Sequence, residues 1–192
     1  MVKARTIFRE FLKSPNKVGA VAPSSRYLAN AMLDELDWDT LTNVVEYGPG
    51  TGAISKHLLR RVESHQRFFA VELNDQFIPV LNRELPELQV FNESVGDIRS
   101  LCDREQVEWV DAIISGLPWT AFPEALQKEL MGATLSVLPE GGQFVTFAYV
   151  HGLRLSNAKR FRKRLQEAFS QVQISPVIWR NIPPAIFYSC RK

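Results

Sequence analysis

A chain of 192 residues with 45% hydrophobic and 23% charged residues has the composition of a globular domain with one sizeable core, and it is too short for two full domains. It has no run of about 18 apolar residues that could cross a membrane. Its two cysteines and three histidines lack the spacing of metal ligands. We therefore expect one domain over residues 1–192, located in the cytoplasm and without a metal ion.

The net charge of +2 is small, but it is unevenly distributed. Residues 1–26 contain six cations and one acid, and residues 159–164 contain five cations and no acid. The rest of the chain is consequently acidic, so these two basic segments are where an anionic surface would be attracted. The alternative is that each segment is an ordinary solvated helix face.

The first predicted helix covers about residues 3–13. Its apolar side chains fall on one arc at 100° per residue, with basic side chains beside them. The residues that would bind a membrane are Arg5, Phe8, Arg9, Phe11, Leu12 and Lys13. Such a basic amphipathic helix is typical of a segment that lies on an anionic membrane, although it could equally pack against the chain's own sheet. A second helix is predicted to run from a Ser24 or Ser25 cap to about Leu36, so residues 1–37 form an N-terminal helical extension.

From residue 38 to residue 192, strand-like and helix-like segments alternate. The predicted strands are 43–47, 67–73, 88–91, 110–115, 143–149, 172–178 and 185–190, and the predicted helices are 53–62, 75–84, 122–137 and 157–169. The strands are apolar almost throughout, which is typical of a sheet buried on both faces. We therefore predict a doubly wound α/β fold with a mostly parallel seven-stranded sheet and an antiparallel C-terminal strand.

The first strand ends in Glu46-Tyr47-Gly48-Pro49-Gly50-Thr51-Gly52, and this loop predicts a ligand site. Glycines permit positive φ and a close approach of the backbone to a ligand, and ligands of doubly wound sheets lie beyond the carboxyl ends of the strands. The acidic residue on the strand itself would repel the pyrophosphate of a dinucleotide. It suits a ligand that carries an ammonium and a sulfonium group.

Two more acidic residues follow the next two strands. Glu72 ends the second strand, where an acid can accept hydrogen bonds from ribose hydroxyls, and Leu73 follows it. Asp97 comes after the third strand, where a carboxylate can accept a hydrogen bond from an adenine amino group while the backbone near Ile98 meets the ring. A solvent-facing Glu and a simple turn with an Asp are the alternatives.

The glycine loop and these two acids resemble the cofactor site of class I S-adenosylmethionine-dependent methyltransferases over about residues 40–150. The resemblance implies a Rossmann-like fold and S-adenosyl-L-methionine as the cofactor. It assigns cofactor binding to Glu46, Gly48, Gly50, Thr51, Gly52, Glu72, Leu73, Asp97, Ile98 and Ser115.

The fourth strand ends in Ser115-Gly116-Leu117-Pro118-Trp119, which in that fold lies over the transferred methyl group. A small–Pro–aromatic turn offers backbone carbonyls and a flat wall for a nitrogen nucleophile, and positioning is the main task in such a transfer. Ser115, Pro118 and Trp119 are therefore candidate catalytic residues. We expect Trp119 either to hold a cationic headgroup by cation–π attraction or to pack in the core.

Four segments carry a further resemblance that covers nearly the whole chain. They are Ser14-Pro15-Asn16-Lys17-Val18-Gly19-Ala20-Val21-Ala22-Pro23-Ser24-Ser25, the Glu46 loop, Ser115-Gly116-Leu117-Pro118 and Arg180-Asn181-Ile182-Pro183-Pro184-Ala185. Together they resemble bacterial phospholipid N-methyltransferases. The resemblance implies methyl transfer to the amine of phosphatidylethanolamine and its methylated derivatives, by an enzyme attached peripherally to the inner face of the cell membrane.

With a phospholipid as substrate, several side chains become candidates for its recognition. Tyr27, Trp119 and Tyr149 are predicted to contact the headgroup, and Arg180 its phosphate; Tyr27 is also a candidate catalytic residue. The predicted partners are an anionic membrane surface and the phospholipid, with no stable protein partner.

Two other functions stay open. An rRNA adenine N-dimethyltransferase would share the glycine loop and the Leu-Pro-aromatic turn, with the basic segments on phosphates. Its N-terminal Gln-Asn-Phe-Leu signature is replaced here by Lys17-Val18-Gly19-Ala20. A non-catalytic cofactor-binding or membrane-associated interaction protein is the second possibility, because a fold alone does not establish activity.

Overall fold

A computed structural model describes residues 23–192. The helix predicted at residues 3–13, with its membrane-binding side chains, therefore lies outside the described residues. No helix within the described range is long and apolar enough to cross a bilayer.

Seven strands form one sheet in the order β3-β2-β1-β4-β5-β7-β6. They are β1 Asn43–Tyr47, β2 Arg67–Val71, β3 Gln89–Phe91, β4 Ala112–Ser115, β5 Gln143–Tyr149, β6 Gln171–Ile174 and β7 Ala185–Arg191. Strands β1 to β5 pair in parallel, whereas β7 runs antiparallel to both of its neighbours. The predicted doubly wound, mostly parallel sheet is confirmed.

Helices cover both faces of this sheet, because alternate strand residues point to opposite sides. The α-helices of the described chain are α1 Arg26–Leu33, α2 Ser55–Leu58, α3 Ile78–Glu84, α4 Ile98–Arg104, α5 Glu124–Val137 and α6 Ser156–Ala168. In β1, Val44 packs in a cluster with α1 and α2, and Val45 packs in a larger cluster with α4, α5 and α6. Burial on both faces explains why the strands are apolar at nearly every position.

Several elements differ from the sequence-based expectation. The helix predicted at 53–62 covers only Ser55–Leu58, and the strand predicted at 67–73 ends at Val71. Helix α4 is absent from the expectation because its seven residues give little evidence of a helical period. Strand β6 stops at Ile174 rather than continuing to 178, because Pro176 has no N–H to donate to the sheet.

Helix α1 places the start of the described chain against the sheet. The Ser25 hydroxyl accepts a hydrogen bond from the backbone N–H of Leu28 (3.2 Å) and caps the helix, as predicted from its residue type. One face of the helix is buried in the cluster that covers β1, β4 and β5. The amino end of α1 thereby lies beside the loop that leads into β7, because the backbone N–H of Ser25 donates to Asn181 Oδ1 at 2.8 Å.

Candidate active site

The site lies at the carboxyl edge of the sheet, where the strand order reverses. Strand β1 is flanked by β2 on one side and by β4 on the other, and the point where strand order reverses in this way is where doubly wound sheets bind their ligands. Tyr47 and Ser115 are direct neighbours in the parallel register of β1 and β4. The predicted cofactor loop and the predicted acceptor turn are therefore adjacent.

The glycine loop combines left-handed backbone angles with tight packing. Gly48, Gly50 and Gly52 have φ of +65°, +56° and +80°, a region that side chains other than glycine rarely adopt. A Cβ on Gly48 or Gly52 would lie 2.7 Å from a leucine side chain, whereas a Cβ on Gly50 would meet nothing within 4 Å. Gly50 is therefore the glycine at which the loop faces open space.

The loop after β4 is packed against this glycine loop. The backbone N–H of Gly116 donates to the Tyr47 carbonyl at 2.8 Å, and a Cβ on Gly116 would lie 2.7 Å from the Gly48 carbonyl oxygen. Only glycine allows the two loops to pass so closely. The residue pattern of the sequence did not single out Gly116 for this reason, because the contact joins segments that are far apart along the chain.

Glu46 is a buried carboxyl whose hydrogen bonding is incomplete. Its side chain is 1% exposed, and its Oε2 has no hydrogen-bond partner among the described residues. Burial away from water raises the pKa of Glu46 to about 8, and the nearby Glu72 carboxylate acts in the same direction. A buried carboxylate without a counter-charge is costly, so this position favours a cationic ligand.

Glu72 is held at the end of β2 by backbone groups. Its Oε2 accepts from the Gly50 N–H at 3.0 Å, and its Oε1 accepts from the Asn74 N–H at 2.8 Å. Burial raises the pKa of Glu72, and these backbone hydrogen bonds oppose that shift. An ionised carboxylate has about four acceptor positions, so capacity remains for ligand hydroxyl groups beside the glycine loop.

The remaining predicted cofactor residues lie on the same edge. Asp97 is half-buried at the amino end of α4, where its carboxylate makes no hydrogen bond to the described residues. Thr51 is exposed in the glycine loop. The side chains of Leu73 and Ile98 are buried in the core, so only their backbone groups are available to a ligand.

The structure corrects the role predicted for Trp119. Its indole is fully buried, stacks on Phe161 with ring centroids 5.2 Å apart, and donates its Nε1–H to Ser115 Oγ at 2.8 Å. Trp119 therefore packs in the core and offers no wall to a headgroup. The Ser115 hydroxyl also accepts from the Leu117 N–H at 3.3 Å, so its side chain shapes the turn, and Pro118 is the half-buried residue left at the turn's surface.

Replacing Trp119 with phenylalanine is expected to lower the free energy of unfolding by about 1 to 3 kcal/mol, because it leaves a cavity and removes a buried hydrogen bond. Trp109→Phe is the matched control, since Trp109 is 44% exposed and should change stability by less than about 0.5 kcal/mol. Urea unfolding of both variants measures the difference. Equal midpoints for the two variants would contradict the core assignment of Trp119.

Two of the predicted substrate residues meet at the amino end of α1. The guanidinium groups of Arg26 and Arg180 each lie 4.9 Å from the centroid of the Tyr27 ring, and Arg26 also donates to the Tyr27 hydroxyl at 3.0 Å. That hydrogen bond, together with the two positive charges, lowers the pKa of Tyr27. Sequence reasoning missed Asn181, which is fully buried and connects these segments through its contact with Ser25.

The third predicted substrate residue, Tyr149, ends β5 beside the start of β7. It is paired with Ala185 in the sheet, and its ring stacks on His151 at 5.7 Å. The Tyr149 hydroxyl is buried without a hydrogen-bond partner in the described chain, and burial raises its pKa to about 12. The Tyr149 phenol is therefore neutral, and its donor and acceptor capacity is unused within the described chain.

No family model matches the chain, and comparison with individual known proteins identifies its family. The chain is 30% identical over 185 residues to the ornithine lipid N-methyltransferase of Singulisphaera acidiphila, a match that covers 95% of this chain and 92% of that protein. The chain belongs to the family of this methyltransferase. A shorter match, 35% identical over 71 residues, joins it to ribosomal RNA small subunit methyltransferase A of Staphylococcus aureus and covers 35% of this chain and 23% of that protein.

Solved structures show the same fold at low sequence identity. The N-methyltransferase NodS from Bradyrhizobium japonicum, in complex with S-adenosyl-L-homocysteine, aligns with a TM-score of 0.64 at 13% identity and covers 88% of each chain. TrmN from Thermus thermophilus aligns with a TM-score of 0.60 at 16% identity, over 86% of this chain and 48% of that one. This protein is a class I S-adenosylmethionine-dependent methyltransferase, and the predicted cofactor is confirmed.

The residues at the carboxyl edge fit that cofactor. The unpaired Glu46 oxygen supplies the negative charge that a cationic ligand requires, Glu72 retains acceptor capacity, and the open side of Gly50 leaves space for close contact. Asp97 adds a carboxylate without a partner in the described chain. When bound, S-adenosylmethionine supplies an activated methyl group on its sulfonium. Among residues 23–192, no group of metal-ligating side chains is arranged to hold an ion.

Proposed function

We propose that this methyltransferase transfers methyl groups to the amine of phosphatidylethanolamine and its methylated derivatives at the inner surface of the cell membrane. The observation that carries the proposal is full-length similarity to a lipid N-methyltransferase. The acceptor of that relative is an ornithine lipid, so an ornithine lipid is the second acceptor to test. Both kinds of lipid carry an amine in a polar headgroup.

The described side chains support an anionic amphiphile as the acceptor. The Arg26–Tyr27–Arg180 cluster places two guanidinium groups at the carboxyl edge of the sheet, and guanidinium groups bind phosphate and carboxylate well. The apolar surroundings of the half-buried Tyr149 would lower the pKa of an amine from its usual value of about 10, which helps the nitrogen to lose its proton before it attacks. We assign the phosphate contact to Arg180 and the headgroup contacts to Tyr27 and Tyr149.

Methylation of rRNA is the competing function, and the 71-residue match is the observation that favours it. That match covers about a third of this chain, whereas the match to the lipid enzyme covers nearly all of it. A cofactor site alone would produce a local match of this kind, because both classes of enzyme bind the same cofactor.

The acceptor can be determined in one labelling experiment. Wild-type protein and methyl-labelled S-adenosylmethionine are incubated in three parallel reactions, with phosphatidylethanolamine vesicles, with ornithine lipid vesicles or with small-subunit rRNA. We expect the label in phosphatidylethanolamine. Label in ornithine lipid alone would show that the acceptor is a lipid other than phosphatidylethanolamine. Label in RNA alone would overturn the proposal.

A further inference from the structure

The large apolar side chains that the described chain exposes are concentrated at one edge of the sheet. Tyr27, Leu155, Trp179 and Ile182 are 37%, 60%, 73% and 79% exposed, Ile174 at the end of β6 is 39% exposed, and Trp109 is 44% exposed. Leu155 follows β5, and Trp179 and Ile182 precede the antiparallel β7, so these three lie at the carboxyl edge. Tyr27 joins them through its contact with Arg180. Trp109 precedes β4 and therefore lies at the opposite edge.

The loop that carries Trp179 and Ile182 is held firmly in place. Asn181 between them is fully buried, accepts a hydrogen bond from the Ser25 N–H at 2.8 Å, and donates to the Pro183 carbonyl at 2.7 Å. At the base of the loop, the Ile178 N–H donates to the Ala185 carbonyl at 2.7 Å. Since the loop is anchored on both sides, the exposure of its apolar side chains is a feature of the folded structure.

This edge also carries three exposed arginines. Arg26, Arg154 and Arg180 are exposed near the apolar side chains, and none of the three takes part in an ion pair with a described carboxylate. Unpaired cations beside exposed Trp and Ile are the chemistry of a membrane interface, where aromatic rings lie at headgroup level and arginines attract anionic lipids.

We propose that this surface, which we call the carboxyl-edge patch, docks the protein onto an anionic phospholipid bilayer. It consists of Tyr27, Leu155, Trp179 and Ile182 with Arg26, Arg154 and Arg180. Trp179 and Ile182 enter the interfacial region of the bilayer, and the arginines contact lipid phosphates. The patch adjoins Tyr149 through the pairing of β5 with β7, so docking brings lipid headgroups to the carboxyl edge of the sheet. Its purpose rests on the proposed lipid acceptor, and it is separate from the helix predicted at residues 3–13.

A bilayer fits this patch better than a second copy of the chain. In a symmetric dimer the same patch would face itself, which would bring its arginines close to those of the partner and cause repulsion. Four apolar side chains on a loop and two element ends are also few for a specific protein interface, which buries about 800 Å² on each partner. An anionic bilayer pairs its headgroups with the arginines and also buries the apolar side chains in its interfacial region.

Quenching of tryptophan fluorescence by brominated lipid tests the proposal directly. Full-length protein is mixed with phosphatidylglycerol and phosphatidylcholine vesicles whose acyl chains are brominated, so that only a tryptophan inside the bilayer is quenched. We expect quenching in the wild type, loss of most of it in Trp179→Phe, and no loss in the matched variant Trp109→Phe. The Trp179→Ser/Ile182→Ser double variant should bind these vesicles about tenfold more weakly.

Each other outcome overturns the proposal. Equal quenching in the wild type and in Trp179→Phe would show that Trp179 stays outside the bilayer, as would vesicle binding without any quenching. A wild type that sediments as a dimer, and a double variant that is monomeric with unchanged vesicle affinity, would assign the patch to self-association. Quenching requires no methyl transfer, so a failure of the lipid acceptor would appear separately, as lipid that stays unlabelled while quenching persists.

Discussion

Glu46→Gln is expected to bind S-adenosylmethionine at least about a hundredfold more weakly than the wild type, since it removes a charged partner from a buried site. The Glu46 carboxylate is nearly inaccessible, and its Oε2 has no partner within the described chain. Glutamine has almost the same shape and keeps one acceptor oxygen, so the loss of affinity reports the charge. Isothermal titration calorimetry with S-adenosylmethionine measures it.

The same variant should make the cofactor-free protein more stable at pH 8. The pKa of Glu46 is raised from 4.5 to about 8 in the folded protein, so the folded state binds a proton more tightly than the unfolded state does. The wild type therefore loses stability as pH rises from about 4.5 to about 8, by up to about 5 kcal/mol. Glu46→Gln lacks this loss, so the two proteins should have similar stability near pH 4 and diverge above it.

Thermal unfolding of both proteins between pH 4 and pH 9 measures this divergence. Glu87→Gln is the control, because Glu87 is exposed and its replacement should follow the wild type at every pH. Two results would show that the Glu46 carboxyl does not bind the cationic part of the cofactor. One is a Glu46→Gln variant that binds the cofactor normally, and the other is a variant whose stability parallels that of the wild type across this range.

Gly50→Ala is expected to weaken cofactor binding by about tenfold or more, because the added methyl group would push the cofactor away from the loop backbone. Gly50 has a φ of +56°, and its N–H donates to Glu72 Oε2. A methyl group there would project into the open space that the loop presents to the ligand, since no described atom lies within 4 Å of it. The strained backbone would also move the N–H that orients Glu72.

Gly141→Ala provides a matched control for the backbone effect. Gly141 also has a positive φ, +80°, and a Cβ there would likewise meet nothing within 4 Å, but it lies in the turn before β5, at the amino edge. Both variants should lose about 1 to 2 kcal/mol of stability from the left-handed conformation. Only Gly50→Ala should lose cofactor affinity in calorimetry. Equal affinity loss in both variants, or in neither, would contradict the placement of the ligand at Gly50.

Much of the cofactor site could be predicted because its signals are local. A glycine-rich loop directly after a buried strand and an acid at the end of the next strand fix residues to one edge of a parallel sheet, and Glu46, Gly50 and Glu72 all lie there. Burial of Glu46 also follows from its place in a strand that is covered on both faces. These relations depend on the period of a strand and on the parallel order of its neighbours.

The acceptor side of the site depends on contacts that the sequence does not display. An aromatic residue after a proline can point outward or inward, and the direction of Trp119 is set by Phe161 on α6, far along the chain. The same is true of Asn181, which reaches Ser25 across 156 positions. Residue type left Trp119 open between a wall and the core and gave no role to Asn181, and long-range packing decided both.

Because its pKa is raised to about 8, we expect Glu46 to be protonated in the free enzyme at pH 7 and to become the charged partner of S-adenosylmethionine. Calorimetry at pH 7 in buffers of different ionisation enthalpy counts the protons exchanged on binding. With a pKa of about 8 in the cofactor-free protein, wild type should release close to one proton, and its affinity should rise with pH between 6 and 7.5. Glu46→Gln should release none. Binding by the wild type without proton release and with pH-independent affinity would contradict the account.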